Sequence, residues 1–343
     1  MTEWNISEEA AALHRDALVW DMTNVWMLGA PAARKIELLS RLAASGWDSV
    51  SLALAYDWAQ EEPLTMLAQE RSLLEEHSDK FVLFDSADDV IKAKQEGKLA
   101  VDFHFISYPS GTDIAMLEEF CKLGVRHVVC HSPRAAEGDN KIERDDGGLT
   151  NFGSELVQEM NRLGMIVDVS HSKYQTTMDI FELSTDPVVF SHSNAAALWN
   201  HSRNIRDDQI EACAKSGGVI GVVGTGTYMG DNDNSTEALV RHIDYFAELV
   251  GPEHVGLGID YISGFGEPYP PKPTGWNEKR HVEGHRLASG GKSEAPRRED
   301  IKYVEPEGLP LLTEALINRG YSEAVIRGIL GENWLRVARH VWN

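Results

Sequence analysis

Two apolar segments of this chain run straight into histidine: Val-Asp-Val-Ser-His at 167–171 and Val-Val-Phe-Ser-His-Ser at 188–193. An apolar run of five or six residues bounded by glycine or polar residues reads as a buried strand. A histidine at the carboxyl end of such a strand stands where parallel barrels and doubly wound sheets place their active sites. Two of them on successive strands point to a metal or a proton-transfer centre. His171 and His192 are close enough, on adjacent strands, to share one ion.

Other polar side chains fall at equivalent places. Asp21 ends a first apolar run, and Asp102 and His104, two apart on one face, end a third. His131 follows the fourth, and Asp260 closes Gly-Leu-Gly-Ile-Asp. Zinc and similar ions take histidine nitrogens and carboxylate oxygens, and catalytic sites keep a position open for water. A buried carboxylate such as Asp260 needs a partner or a metal. Arg203, on the loop after the sixth run, is suited to hold a substrate carboxylate by paired hydrogen bonds. His281 and His285 lie in a charged stretch and read as solvated loop.

The elements that position these residues are legible as a repeat. Eight apolar runs read as strands, at 17–22, 48–54, 99–105, 127–132, 165–170, 187–192, 219–224 and 254–260. Helical patterns fill most of the gaps, for example 33–45, 113–123, 153–163, 207–216 and 235–250. Gly46, Gly124, Gly164, Gly217 and Gly251 follow those helices, as a C-terminal cap requires. The recurring unit of strand, helix, glycine and strand predicts a parallel sheet. Eight units in a chain of 343 residues predict a (β/α)8 TIM barrel, with a doubly wound sheet as the alternative. Residues 57–97 are expected to hold two helices. Residues 262–307, rich in Gly, Pro and charge, are expected to form a rim or lid insertion in one domain spanning 1–343.

Composition narrows the partners. The net charge of −22 repels nucleic acid and anionic membranes. No stretch reaches the roughly 18 apolar residues of a membrane span. The acidic, polar N-terminus does not read as a signal peptide. Cys121, Cys130 and Cys213 form no CxxC pair and read as reduced thiols of a cytoplasmic protein.

The text itself resembles the membrane (renal) dipeptidase family of metallopeptidases, peptidase family M19, whose members are amidohydrolase-like (β/α)8 barrels. The resemblance rests on LGVRHVVCHS at 123–132, GGLTNFGSELVQEMNRLGMIVDVSHS at 147–172, PVVFSHSNAAALWNHSRNIRDDQ at 187–209 and HIDYFAELVGPEHVGLGIDY at 242–261. It is clear over roughly 115–262, and GENWLRVARHVW at the C-terminus fits as well. The resemblance implies that His171 and His192 bind zinc and that Arg203 binds the substrate's carboxylate. It implies that His131 contacts substrate and the tetrahedral intermediate, and that Asp260 is the acid/base residue. A homodimer is implied too.

The N-terminal third departs from the family pattern. Where the family has Asp-Gly-His-x-Asp, with His and the second Asp binding one of two zincs, this chain reads Asp21-Met22-Thr23-Asn24-Val25. His104 takes the place of the glutamate that bridges the two metals. The expectation is therefore a single zinc held by His104, His171 and His192. The enzyme would be a dipeptidase-like hydrolase cleaving an amide-type bond in a small carboxylate-bearing substrate. A metal-dependent lyase, isomerase or decarboxylase on the same barrel, or a metal-free pseudoenzyme or binding protein, are the alternatives.

Overall fold

The computed structural model describes residues 4–26, 30–54, 63–109, 111–131, 141–144, 147–262 and 300–342. The stretch 263–299, with His281 and His285 and most of the expected rim insertion, lies outside the described residues.

All described ladders are parallel. The strands are β1 (Trp20–Val25), β2 (Ser49–Leu54), β3 (Phe81–Leu83), β4 (Leu99–Phe105), β5 (Val125–Val129), β6 (Ile166–Asp168), β7 (Val188–Val189), β8 (Ile220–Val222) and β9 (Val255–Leu257). Their order is β7-β6-β5-β4-β2-β1-β9-β8, with β3 paired to β4 off that path. The remaining gap, between β7 and β8, is closed by a parallel bridge from Phe190 to Ile220. Phe190 N donates to Val219 O at 3.1 Å and Gly221 N donates to Phe190 O at 2.7 Å. Eight strands thus close into a barrel, as the repeat predicts. The segment 57–97 adds a short strand, β3, between its two helices, Pro63–Glu75 and Ala87–Gln95.

Helices cover the barrel because their apolar faces match the apolar outer face of the strands. Leu38, Leu39 and Leu42 of the helix Ala32–Ala44, and Leu156, Val157 and Met160 of the helix Asn151–Leu163, join Val50, Leu52, Val101 and Phe103 in one buried cluster. The second helix starts on a Thr150 cap and stops at Gly164, whose φ of 68° and ψ of 45° put it in the left-handed region. The bottom of the barrel is plugged by Trp20, Met22, Ala100, Ile166, Val189 and Val219 against Trp334 of the C-terminal helix Asn333–Val341. Trp334 Nε1 donates to Leu257 O at 3.0 Å, so the large ring is buried without an orphaned donor.

Toward the other end the interior turns polar. Ser51, Asp102, His104, His127, Asp168 and Ser191 are all fully buried there. Close approach at this end depends on Gly258. A Cβ at that position would lie 1.6 Å from Ser191 O, so only glycine lets the end of β9 pack against the turn that carries His192. The three cysteines are unpaired, and Cys130 and Cys213 are buried. Among the described residues no helix is long and apolar enough to cross a membrane.

Candidate metal centre

His171, His192 and Asp260 each lie three residues beyond the last residue of their strands, β6, β7 and β9. His131 lies two beyond the end of β5, and Arg203 comes from the loop after β7. All five therefore stand at the carboxyl rim. His192 is buried, whereas His131, His171, Arg203 and Asp260 are partly exposed, as a site open to a small molecule requires.

The two histidines face each other. Their Nε2 atoms are 2.9 Å apart and their ring centroids 4.9 Å apart. Arg203 Nη2 approaches His171 Nε2 at 3.2 Å, and Arg203 Nη1 donates to the carbonyl of Ser170. A guanidinium has donors only, so Nε2 of His171 is an acceptor. Burial lowers both histidines well below the usual range, and the Arg203 charge lowers them further. Both are neutral at pH 7, with a lone pair to give.

His192 Nδ1 sits 2.7 Å from Ser191 Oγ, and that hydroxyl donates to the carboxylate of Asp168. The hydroxyl proton being committed, Nδ1 of His192 is the donor and its Nε2 is bare. Two acceptor nitrogens thus face one another at 2.9 Å, that of His171 also taking the Arg203 guanidinium, and a cation beside the pair would relieve their repulsion. Imidazole nitrogens are the donor type of divalent transition-metal sites, and this pair supplies two of the three protein ligands that a catalytic site of that kind takes.

His104 is not brought to that point. Its Nε2 is hydrogen-bonded to Thr23 Oγ1 at 2.8 Å and its Nδ1 to Ser51 Oγ at 2.9 Å, and its ring stacks on His127 at 4.1 Å. The third histidine expected as a ligand therefore has both ring nitrogens on hydroxyl partners. Among the described residues no three of His, Cys, Asp and Glu form a set able to hold an ion. Thr23 and His104, which stand where the family pattern has metal ligands, bond to each other instead. Burial lowers His104 well below the usual range, with charge repulsion from His127 and His192 adding to it.

Asp260 adopts φ of 55°, in the left-handed region that a non-glycine residue rarely visits. The turn is held from β1: Asp260 N donates to Thr23 O at 3.0 Å, and Ile259 N donates to Asp21 Oδ1 at 2.7 Å. Burial pushes the Asp260 carboxyl up to about 7, against the pull of Arg203. Asp21 is thus a clamp for the Asp260 turn. Asp102 lies deeper, and burial raises its carboxyl to about 8.

His131 stacks on His171, with centroids 5.2 Å apart, and its Nδ1 lies 3.8 Å from Glu143 Oε1. Burial works to raise Glu143, but His131, the backbone N–H of Lys173 and the hydroxyl of Thr176 together hold it below the usual carboxylate range. Glu143 and Asp168 are missing from the sequence reading. Glu143 sits in an acidic run that looks like solvated surface. Asp168 carries a signal that could have found it, a carboxylate inside the apolar run Met-Ile-Val-Asp-Val.

The membrane dipeptidase model (peptidase family M19) matches residues 42–281. An uncharacterized protein of Klebsiella pneumoniae, from the region 5′ of pqqA, is 30% identical over 82% of this chain and 98% of its own length. An uncharacterized dipeptidase of Schizosaccharomyces pombe is 34% identical over 56% of this chain, which spans about half of that relative, 48%. Among solved structures, an amidohydrolase of Pseudomonas aeruginosa superposes with a TM-score of 0.78 at 27% identity, covering 97% of this chain and 99% of that one.

Proposed function

This chain belongs to the membrane dipeptidase family, peptidase family M19, and we propose that it is a dipeptidase-like hydrolase cleaving an amide-type bond in a small substrate that bears a carboxylate. One zinc ion, held by His171 and His192, would polarise the scissile carbonyl and acidify a water molecule.

The chain's own residues do the rest. Arg203 binds the substrate carboxylate, a charge-assisted contact that fixes the scissile bond beside the histidine pair. Asp260 takes the proton of the attacking water and returns it to the leaving amine. A group that titrates near 7 exchanges protons in both directions at neutral pH. His131, backed by Glu143, donates to the developing oxyanion. Three unpaired cysteines support a reducing compartment such as the cytoplasm.

The observation that carries this reading is the pair of acceptor nitrogens 2.9 Å apart with Arg203 beside them. The test is metal analysis joined to a substrate panel of dipeptides, N-acyl amino acids and lactones, with and without chelator. We expect one equivalent of zinc, its loss in His171→Ala, and chelator-sensitive cleavage of an amide. Protein that binds no metal under any loading condition, or activity indifferent to chelator, overturns the proposal. Chelator-sensitive turnover confined to substrates without an amide favours the lyase alternative.

A further inference from the structure

One buried carboxylate ties the two histidine-bearing turns together. Asp168 closes β6 inside the barrel and has no exposed surface. Its Oδ1 accepts from Ser170 N at 2.9 Å, from Ser170 Oγ at 2.6 Å and from Ser191 N at 3.1 Å. Its Oδ2 accepts from Ser191 Oγ. Ser170 and Ser191 are the residues immediately before His171 and His192. A cross-link completes the arrangement: His192 N donates to Ser170 Oγ at 3.1 Å.

Proton counting then reaches the pair itself. Both serine hydroxyls give their protons to Asp168. At 2.7 Å from His192 Nδ1, Ser191 Oγ can only accept. The chain runs from imidazole N–H to hydroxyl to carboxylate, and it leaves Nε2 of His192 unprotonated and aimed at His171.

We infer that Asp168 is a positioning residue that spaces His171 against His192 and, through Ser191, holds His192 in the tautomer whose Nε2 can bind a cation. This rests on reading the pair as a metal centre. Partners behind a metal-binding imidazole fix its tautomer and orientation, and losing one typically costs about 10–100-fold in metal affinity.

Asp168→Asn is the sharp variant because it keeps the shape and swaps one acceptor for a donor. The amide oxygen serves the three donors now on Oδ1, and the NH2 group donates to Ser191 Oγ. Ser191 then turns its own proton onto His192 Nδ1 at 2.7 Å, a shorter contact than the competing Ser170 Oγ at 3.1 Å, and the imidazole proton moves to Nε2. Ser191→Ala removes the relay and leaves the backbone bonds to Asp168 in place.

Two measurements are made on each protein: long-range 1H–15N spectra of the imidazoles in metal-free protein, and zinc titration against a competing chelator. We expect His192 to carry its proton on Nδ1 in the wild type, on Nε2 in Asp168→Asn, and to shift toward Nε2 in Ser191→Ala. Zinc affinity should fall about 10–100-fold in both variants. The inference is overturned if wild-type His192 is protonated on Nε2, or if the variants keep both tautomer and affinity. Should Asp168→Asn fail to fold, Ser191→Ala decides alone. Wild-type protein that binds no zinc sinks the metal reading, while the tautomer spectra still decide the Asp168 relay.

Discussion

Asp260→Asn probes the proton-transfer step directly. Asparagine keeps the shape of the side chain and tolerates positive φ at least as well as aspartate, so the turn at φ of 55° is preserved. Alanine would confound lost chemistry with backbone strain. In the wild type the carboxyl sits at about 7. Only its ionised form accepts a proton, so kcat/KM should fall as pH drops through 7. The fall approaches tenfold per pH unit, which puts the rate at pH 5.5 roughly 30-fold below its plateau. Replacement by the amide should cost about 100- to 10,000-fold, or ~3–5 kcal/mol of transition-state stabilisation, and should abolish that acidic limb.

Arg203→Ala refines the same test. The guanidinium pulls the Asp260 carboxyl down, so its removal should move the limb to higher pH as well as weaken capture of the carboxylate substrate. Losing a charge-assisted contact of this kind costs about 2–5 kcal/mol. The assay is initial rates from pH 5 to 9 on the best substrate of the panel, with circular dichroism confirming that the fold persists over the range. An unchanged limb in Asp260→Asn would assign that limb to another group and refute the role given to Asp260. A wild-type midpoint near 4 would refute the raised carboxyl itself.

Two further outcomes concern stability. Lys35 forms an ion pair with Glu70, whose Oε2 also accepts from Trp26 Nε1 at 2.8 Å, and both charged side chains are under a tenth exposed. Lys35→Met should cost about 3–5 kcal/mol in urea unfolding by stranding the carboxylate, and Lys35→Met with Glu70→Leu should recover most of it; a single variant as stable as wild type would contradict the pairing. Burial also lowers His14 and His242 to about 4 and His127 to about 3, and lowers His104, His171 and His192 well below their usual range. Below the unfolded value near 6.5 these six take up protons only when the chain unfolds. Raised carboxyls oppose them, since burial pushes Asp21 well above its usual range, Asp102 to about 8, Asp260 to about 7, and Asp48 and Asp168 upward as well, which favours proton binding in the folded state. The histidines outnumber the raised carboxyls, so the balance favours unfolding as pH falls below the unfolded histidine value for metal-free protein. A urea midpoint that holds or rises on going from pH 6.5 to 5.5 would show that these histidines are not buried neutral.

Much of the architecture is legible in the chain because strands of a closed parallel barrel are covered on both faces, and so read as unbroken apolar runs ended by glycine-capped helices. Strand lengths are not legible. The runs at 165–170, 187–192, 219–224 and 254–260 shrink to ladders of two or three residues. At the rim the backbone takes side-chain partners instead of its neighbour: Ser191 N bonds Asp168, His192 N bonds Ser170 Oγ, and Ile259 N bonds Asp21. His171 and His192 stand out because each ends an apolar run. His104 looks the same on paper, and only the coordinates show its nitrogens committed to Thr23 and Ser51. Glu143 is invisible for the opposite reason, since its partner, His131, is reached only through the fold. Spacing reports which residues share a rim. It does not report where a lone pair points.

The electrostatics of the rim make one arrangement of what look like separate shifts. Arg203 is the cation that helps keep His171 and His192 neutral, and the same charge pulls Asp260 down from where burial alone would put it. A substrate carboxylate seated on Arg203 offsets that charge. All three groups then gain proton affinity, because the term that disfavoured their protonated forms has been cancelled. For Asp260 this means a stronger base once the substrate is in place than in the free enzyme. For the histidines it means lone pairs that are more electron-donating toward a shared cation. In the proposed reaction the carboxylate therefore does more than anchor the substrate: its arrival tunes the base and the ligand pair in the direction the chemistry needs, and a neutral analogue of the same shape would bind without doing so.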